Sequence, residues 1–587
     1  MKLFQKLLSA LAILTLFFSA CQREIKNDLP PGTEPGIVVN ASPVNANVTG
    51  VILDESGTPM PGALVKAGGQ TMVTNDKGLF RFNNIQLDKY NSVVKVEKAG
   101  YFQAIRTFSA VANNTNFVRI KLITKNEIYN FVSTAGGTIT LGGSTITIPG
   151  NSVVLKSNNQ PYLGTVRVFA ANIDPTQNDI GEIIPGSFQA TDANNYRVLL
   201  KSYGMMAVEL EGAGGEPLQI ATGKKATLKM AIPSSLQSSA PATIPLWYMN
   251  ETDGLWKEEG SATKVGNVYQ GEVSHFSFWN CDISNNAVFL EMTLITNEGP
   301  LPYTTVKITR VSNGSSSLGY TDSLGHVSGF VFNNEPLLLQ VLDNCQSVIY
   351  SQNIGPFTAT TNLGNITVVL PAVNELEVTG TATNCNNQPI ANGKAYIYFE
   401  DVLFVAPVQA GSFSLHMTRC ANSTGLVEVV VEDLDTDQQS APIVAAASTG
   451  VFNTGNIQAC GTSSVTFINY AIDGGAAYVI NSSVAGDSIS AYNQGAQNYF
   501  DINGFKVSQP NINIWFGFTG NSIGSFPISM RSVNQYDSIV VVTPLNVNVT
   551  TFGAPGQFIE GNFNGQFKEG PASTPHTINC TFRVRRF

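Results

Sequence analysis

Residues 48–82, VTGVILDESGTPMPGALVKAGGQTMVTNDKGLFRF, decide the fold. Val48, Gly50 and Ile52 alternate along a strand that reaches a polar turn at Asp54 to Thr58, where Pro59 and Pro61 bar a helix and Leu64 and Val65 begin the return strand. A second turn follows at Asn75 to Gly78. Its glycine supplies the positive φ a tight hairpin needs, and Phe80 and Phe82 then fall on one face of the next strand. Looser copies return twice. In the second, Leu290 to Ile295 leads through Gly299-Pro300-Leu301-Pro302 to Val306–Arg310, with Thr321-Asp322-Ser323-Leu324-Gly325 before Phe330. The third begins at Glu375, turns at Asn384-Cys385-Asn386-Asn387-Gln388-Pro389-Ile390, and carries Gly411-Ser412-Phe413 where the first carries Gly78-Leu79-Phe80. A spacing of about 85 residues predicts beads on a string, each with its own core.

Through Gly57-x-Pro59-x-Pro61-Gly62-Ala63 and Thr74-Asn75-Asp76-x-Gly78-x-Phe80, residues 45–124 resemble the carboxypeptidase regulatory-like domain. The resemblance implies a transthyretin-like sandwich of seven strands and a non-catalytic accessory module. Peptidase activity is not expected of it. A zinc carboxypeptidase needs His-x-x-Glu and a further His, whereas His275, His326, His416 and His576 lie far apart.

The fold class expected is all-β: a multidomain string of Ig-like or transthyretin-like sandwiches ending in an antiparallel sandwich or small barrel. The expected divisions are a signal at 1–20, a tether at 21–45, sandwiches at 46–124, 285–372 and 373–462, a different β domain at 125–284, and a C-terminal β domain at 463–587. Strand-like runs at Asn511–Phe518, Gly561–Phe567 and Thr577–Arg585 carry the last of these.

Met1 to Cys21 opens with Lys2 and Lys6, runs through apolar Leu7 to Phe18, and ends Ser19-Ala20-Cys21. The run is too short to span a bilayer and small residues precede the last position, as in an export signal. With Cys at the first mature position it resembles a bacterial lipobox, of the kind found in Bacteroidetes-type lipoproteins. The resemblance implies acylation of Cys21 and anchoring to the bacterial outer membrane, facing the surface or the periplasm; the alternative is a plain cleaved signal. Charged residues are only 13%, and the net charge of −9 gives no basic footprint for nucleic acid. Arg583, Arg585 and Arg586 read as a solvated face of the final strand.

Cys21 apart, six cysteines remain: Cys281, Cys345, Cys385, Cys420, Cys460 and Cys580. An even number in an exported protein favours disulfides. The expected pairs are Cys281 with Cys345, clipping adjoining domains, and two of Cys385, Cys420 and Cys460 within one domain.

Residues 125–284 resemble the ZU-five-like domain of cartilage intermediate layer protein through the order of Pro185-Gly186, Tyr203-Gly204-Met205-Met206, Ile244-Pro245-Leu246-Trp247-Tyr248 and Gly254-Leu255-Trp256. Some eukaryotic proteins resembling it cut themselves at His-Phe-Ser, present here as His275-Phe276-Ser277. Ser277 would attack the Phe276 carbonyl with His275 as base, given strain and an oxyanion donor. The other reading places these residues on an alternating closing strand running from Val273 to Trp279. Trp247, Trp256 and Trp279 are either core packing or part of a sugar-stacking platform, to which Trp515 would contribute.

Glu432 to Asp437 is the densest acidic cluster, and Asp433, Asp435 and Asp437 could present carboxylates to calcium. However, Gln438 and Val444 replace the Gly and Glu of a calcium hand. A solvated turn is the other reading; no other cofactor or metal is expected. Asp322-Ser323-Leu324, Asp487-Ser488-Ile489 and Asp537-Ser538-Ile539 resemble Bacteroidetes-type O-glycosylation sites, on Ser323, Ser488 and Ser538. The expected role is a non-enzymatic surface protein binding an extracellular protein or glycan, with self-cleavage and carbohydrate capture as alternatives.

Overall fold

The computed structural model describes residues 37–586 apart from 75–76, 424, 437, 448–449, 461, 464–465, 482–486, 494–498, 507–508, 538, 543–544, 554–557 and 571–572. The chain is all-β.

The three copies of the opening unit share one skeleton. In each, the first strand pairs antiparallel on one side and parallel on the other. Pro43–Leu53 lies between Leu79–Asp88 and Thr115–Lys121. Phe278–Ile295 pairs with His326–Phe332 and Thr361–Thr367, and Glu375–Asn384 with Ser412–Thr418 and Gly450–Ala459. The proline of the first turn bridges back to the strand it leaves, at Leu53↔Pro59, Ile295↔Pro300 and Thr383↔Pro389.

Each skeleton also closes on a glycine. Gly78, Gly325 and Gly411 have φ of +69°, +77° and +74°. Their carbonyls accept from Ile52, Leu294 and Ala382 N–H at 2.8, 2.7 and 2.9 Å. A Cβ at Gly78 would stand 2.5 Å from Ile52 O, and one at Gly325 would stand 2.2 Å from Leu294 O. Left-handed backbone packed this closely on a strand leaves room for glycine alone.

The first domain has seven strands in two sheets, with Leu64–Ala67, Gln70–Val73, Ser92–Glu97 and Ala104–Phe108 forming the second. Phe80 and Phe82 do share a buried face, their rings 5.9 Å apart.

The domains are not beads on a string. Each has its own apolar core, but the cores are joined by further clusters between domains. Phe102, Ile105 and Ile123 of the first domain pack on Trp247, Trp256 and Phe278 of the second. Val51, Leu53 and Phe117 of the first join Tyr303 of the third inside the core of the fourth, where Tyr303 and Phe404 rings are 5.3 Å apart. Lys77 pairs with Glu428 across the same junction at 2.8 Å. Strand Phe278–Ile295 runs 18 residues from the second domain into the third, so no linker separates them. A sequence repeat marks where a core begins. It carries no information about which apolar outer faces meet.

The cysteines also pair differently from expectation. Cys345 bonds to Cys420 and Cys385 to Cys460. Cys281 is a free thiol with no exposure, set in the core of the second domain, while Cys345 is taken by Cys420; Cys580 is likewise free and buried. Burial pushes both thiols well above the usual range. The bond that joins two domains is therefore Cys345–Cys420, between the third and the fourth.

In the last domain, strand His576–Arg585 pairs with both Phe467–Ile472 and Phe558–Glu569, and the sheet rolls toward closure. Aromatic side chains fill its interior, with Phe516 4.9 Å from Phe563 and 5.3 Å from Phe582. The terminal arginines are not a solvated face. Arg583 stacks on Phe558 and pairs with Glu560 at 3.1 Å, and Arg585 reaches Gln439 of the fourth domain at 2.7 Å.

Candidate functional site

His275, Phe276 and Ser277 lie in a bend between strands Val268–Val273 and Phe278–Ile295, not on an alternating strand. Val273, Phe276, Phe278 and Trp279 are all buried, which no strict alternation allows. The cause is Gln219. Its amide oxygen accepts from Phe276 N–H at 2.7 Å and its Nε2 donates to Phe276 O at 3.1 Å, tying both polar groups of that residue and turning its ring into the core.

Chemically, the bend supplies part of what backbone cleavage needs. The Phe276 carbonyl has one side-chain donor where a tetrahedral oxyanion would form. The nucleophile is turned elsewhere, since Ser277 Oγ donates to Phe278 O at 3.1 Å. His275 packs between Tyr248 and Trp279, with Nε2 3.6 Å from Glu259. Gln219 lies 57 residues before Phe276 in the chain, and no signal in the sequence pointed to it.

The tryptophans do not make an exposed row. Trp247, Trp256 and Trp279 are fully buried, and their indole N–H groups donate to the carbonyls of Asp282, Ser187 and His275. Trp515 alone is half-buried, in the last domain, with Arg531 stacked 4.7 Å from its ring and Asp501 accepting its N–H. The expected sugar platform therefore lacks its members, since Trp247 and Trp256 fill the seam between the first two domains and Trp279 lies in the core of the second.

In the acidic cluster, Asp433 is buried and closes a turn, accepting from Asp435 N–H at 3.1 Å and from Thr436 Oγ1 at 2.7 Å. Asp435 is exposed and accepts from Asn392 at 3.2 Å, while Asp437 lies outside the described residues. Among the described residues, no three His, Cys, Asp or Glu side chains gather as a metal site. Ser323 sits at the junction with the first domain. Its N–H donates to Thr115 O at 3.0 Å and its hydroxyl accepts from Thr115 N–H at 3.3 Å. Ser488 is half-buried on strand Asp487–Asn493; Ser538 and Cys21 lie outside the described residues. No helix among the described residues is long and apolar enough to cross a membrane.

No family model matches the chain. Human cartilage intermediate layer protein 2 is 25% identical over 114 residues, which are 19% of this chain and 9% of that protein, so the chain spans less than a tenth of this relative. Among solved structures, the shaft pilin SpaA of Lactobacillus rhamnosus GG is similar over 30% of this chain and 98% of the pilin, at 10% identity and a TM-score of 0.16. A protein of unknown function from Bacteroides fragilis, described as membrane-associated, is similar over 41% of this chain and 99% of its own, at 8% identity and a TM-score of 0.13. Likeness at these TM-scores carries no argument about activity.

Proposed function

We propose that this chain is a non-enzymatic surface lipoprotein: an acyl anchor on Cys21, a tether from it toward residue 37, and a rigid block of β domains that presents its loops to an extracellular protein or glycan. The tether is shorter than the 21–45 expected, because Ile37 already bonds to Arg197 and Pro43 already opens the first strand. The observation that supports it best is the locking of the domains to one another. Buried rings fill the seams, one strand crosses from the second domain to the third, and Cys345–Cys420 joins the third to the fourth. Such seams make relative domain motion costly, which suits a platform better than an enzyme that must open and close. Two acyl chains on one residue would hold it stably at a membrane. Feeding expressing cells an alkyne-tagged fatty acid should label the wild type and leave Cys21→Ala unlabelled; an unlabelled wild type overturns the anchor. Screening the purified chain on arrays of extracellular proteins and glycans should give a saturable hit, and binding that is absent throughout overturns the binding role.

Self-cleavage has one observation in its favour, the Gln219 donor on Phe276 O. Ser277 Oγ would add to the Phe276 carbonyl carbon, the Phe276–Ser277 C–N bond would break, and the amine would take the hydroxyl proton through His275. Water would then split the ester into a Phe276 carboxylate and the restored Ser277 hydroxyl, leaving Ser277 with the free amine formed in the first step. On a denaturing gel, cleavage gives two fragments from the wild type and one band from Ser277→Ala. A single full-length wild-type band removes this reading.

A further inference from the structure

The first three domains meet around a cavity of about 150 Å³. On the first domain it opens between Ala104–Phe108 and Thr115–Lys121, the edge strands of the two sheets, where the sandwich has no strand to close it. Residues around Ile184 and Phe188 of the second domain cover one side. Strands Ser316–Tyr320 and His326–Phe332 of the third cover the other.

Its wall is apolar over Phe117, Val118, Ile184, Leu290, Ile308 and Phe330, but one cation stands in it. Ile105 and Thr107 face the second domain, the first in the shared cluster and the second bonded to Ser187 at 2.7 Å. Alternation along the strand therefore turns Arg106, between them, to the cavity side. Arg106 is 8% exposed, and its Nε and Nη2 have no hydrogen-bond partner among the described residues. Ser109 Oγ and His326 Nδ1, on the same lining, are buried and unpartnered too.

Nearby acids do not answer this charge. Glu182 is buried and already faces Arg119 Nε at 3.4 Å, Lys121 Nζ at 3.9 Å and the Tyr320 hydroxyl at 3.3 Å. Asp179 is held by Lys121 at 2.7 Å. Two cations, Arg119 and Lys121, already engage these two carboxylates, and no carboxylate lies within 4.0 Å of Arg106 among the described residues. An unpaired guanidinium in such a place is costly, and burial accordingly pushes its pKa below the usual arginine value, with Tyr320 and Glu182 opposing the shift.

Nε and Nη2 form one edge of the guanidinium, a planar fork whose spacing matches the two oxygens of a carboxylate. A cavity of about 150 Å³ holds a ring of roughly six carbons. We propose that this cavity binds a small organic carboxylate, its head on the Nε–Nη2 edge of Arg106 with Ser109 and His326 beside it, and its apolar body between Phe117 and Phe330. The site belongs to three domains at once, so a bound acid strengthens their union.

The test is titration calorimetry on the purified full chain, with benzoate as probe, benzamide as its neutral isostere, and inorganic phosphate at matched ionic strength. Benzoate should bind at least about tenfold more tightly than benzamide or phosphate and raise the thermal midpoint. Arg106→Met should abolish benzoate binding while raising the midpoint of the unliganded protein, because it removes an uncompensated charge. If that variant does not fold, Arg106→Lys keeps the charge without the fork and should weaken benzoate about tenfold. Benzamide or phosphate binding as tightly as benzoate, or no heat from benzoate at millimolar concentration, overturns the proposal.

Discussion

The first and fourth domains are built on one skeleton, yet they secure the same corner by different chemistry. Aligning Leu53↔Pro59 with Thr383↔Pro389 puts Glu55 where the fourth domain has Cys385, and the parallel registers Leu53↔Lys121 and Asn384↔Ala459 bring Thr124 close to the position of Cys460. In the fourth domain that corner is a disulfide. In the first, Glu55 accepts from Thr124 N–H and from Thr124 Oγ1, both at 2.9 Å. The adjoining turn differs in the same way. Asp54 Oδ1 accepts from Ser56 and Thr58 N–H in the first domain, and Asn384 Oδ1 accepts from Asn386 and Gln388 N–H in the fourth. The geometry is held constant while a covalent bond replaces an ionic hydrogen bond and an amide replaces a carboxylate. The first domain holds this corner with an exposed pair, while Ile123 beside it packs into the seam with the second domain.

The largest expected effect comes from cutting the covalent corner. Cys385 and Cys460 are separated by 75 residues. Closing a loop of that size constrains the unfolded chain by about 4 kcal/mol in the chain-entropy account. Cys385→Ser with Cys460→Ser should therefore lower the stability of the fourth domain by about that much in denaturant titration, whereas Glu55→Ala, at an exposed pair, should cost about 1 kcal/mol in the first. Equal losses would show that the two corners are not alternatives.

Next come the shared glycines. Gly325→Ala and Gly78→Ala force a Cβ onto a backbone carbonyl in left-handed backbone and should each cost about 3 kcal/mol. At Gly411 the facing carbonyl, Ala382 O, is 3.3 Å from the added Cβ and the close atom is a side-chain carbon of Pro389, so Gly411→Ala should cost less, about 2 kcal/mol. Thermal melts of the three variants should rank Gly411→Ala as the mildest, and the reverse order would show that contact with the strand carbonyl does not set the cost.

The smallest effect is on pH dependence. The hydroxyl of Ser56, helped by the N–H groups of Thr58, Ser56 and Gly57 and opposed by burial, holds the Asp54 carboxyl below its usual range. A carboxyl depressed in the folded state contributes fully above its unfolded value, about 3.9, and the contribution is lost as pH falls through the depressed folded value. Asp54→Asn should remove that acid-dependent part of the first domain's stability, and Asn384→Asp should introduce one in the fourth. Melting curves between pH 5 and about pH 2 read both. Parallel behaviour of wild type and Asp54→Asn would count against the turn as the titrating group.

What the sequence determined by itself was local. Alternation in residues 48–53, prolines after the first strand and a glycine before the fourth fixed the sandwich unit and its two later copies, because neighbouring residues alone set strand period and turn geometry. In the candidate site, the sequence located the tripeptide at residues 275–277 but not its bend, since Gln219, which makes the bend, comes from a strand far upstream. Only the tertiary structure decided that Cys345 meets Cys420 while Cys281 sinks into a core, that Trp247 and Trp256 fill a seam, and that Arg106 is left facing a cavity without an acid. Each of these depends on which apolar faces of separate domains come together, and that is fixed by shape and burial across long separations rather than by any pattern along the chain.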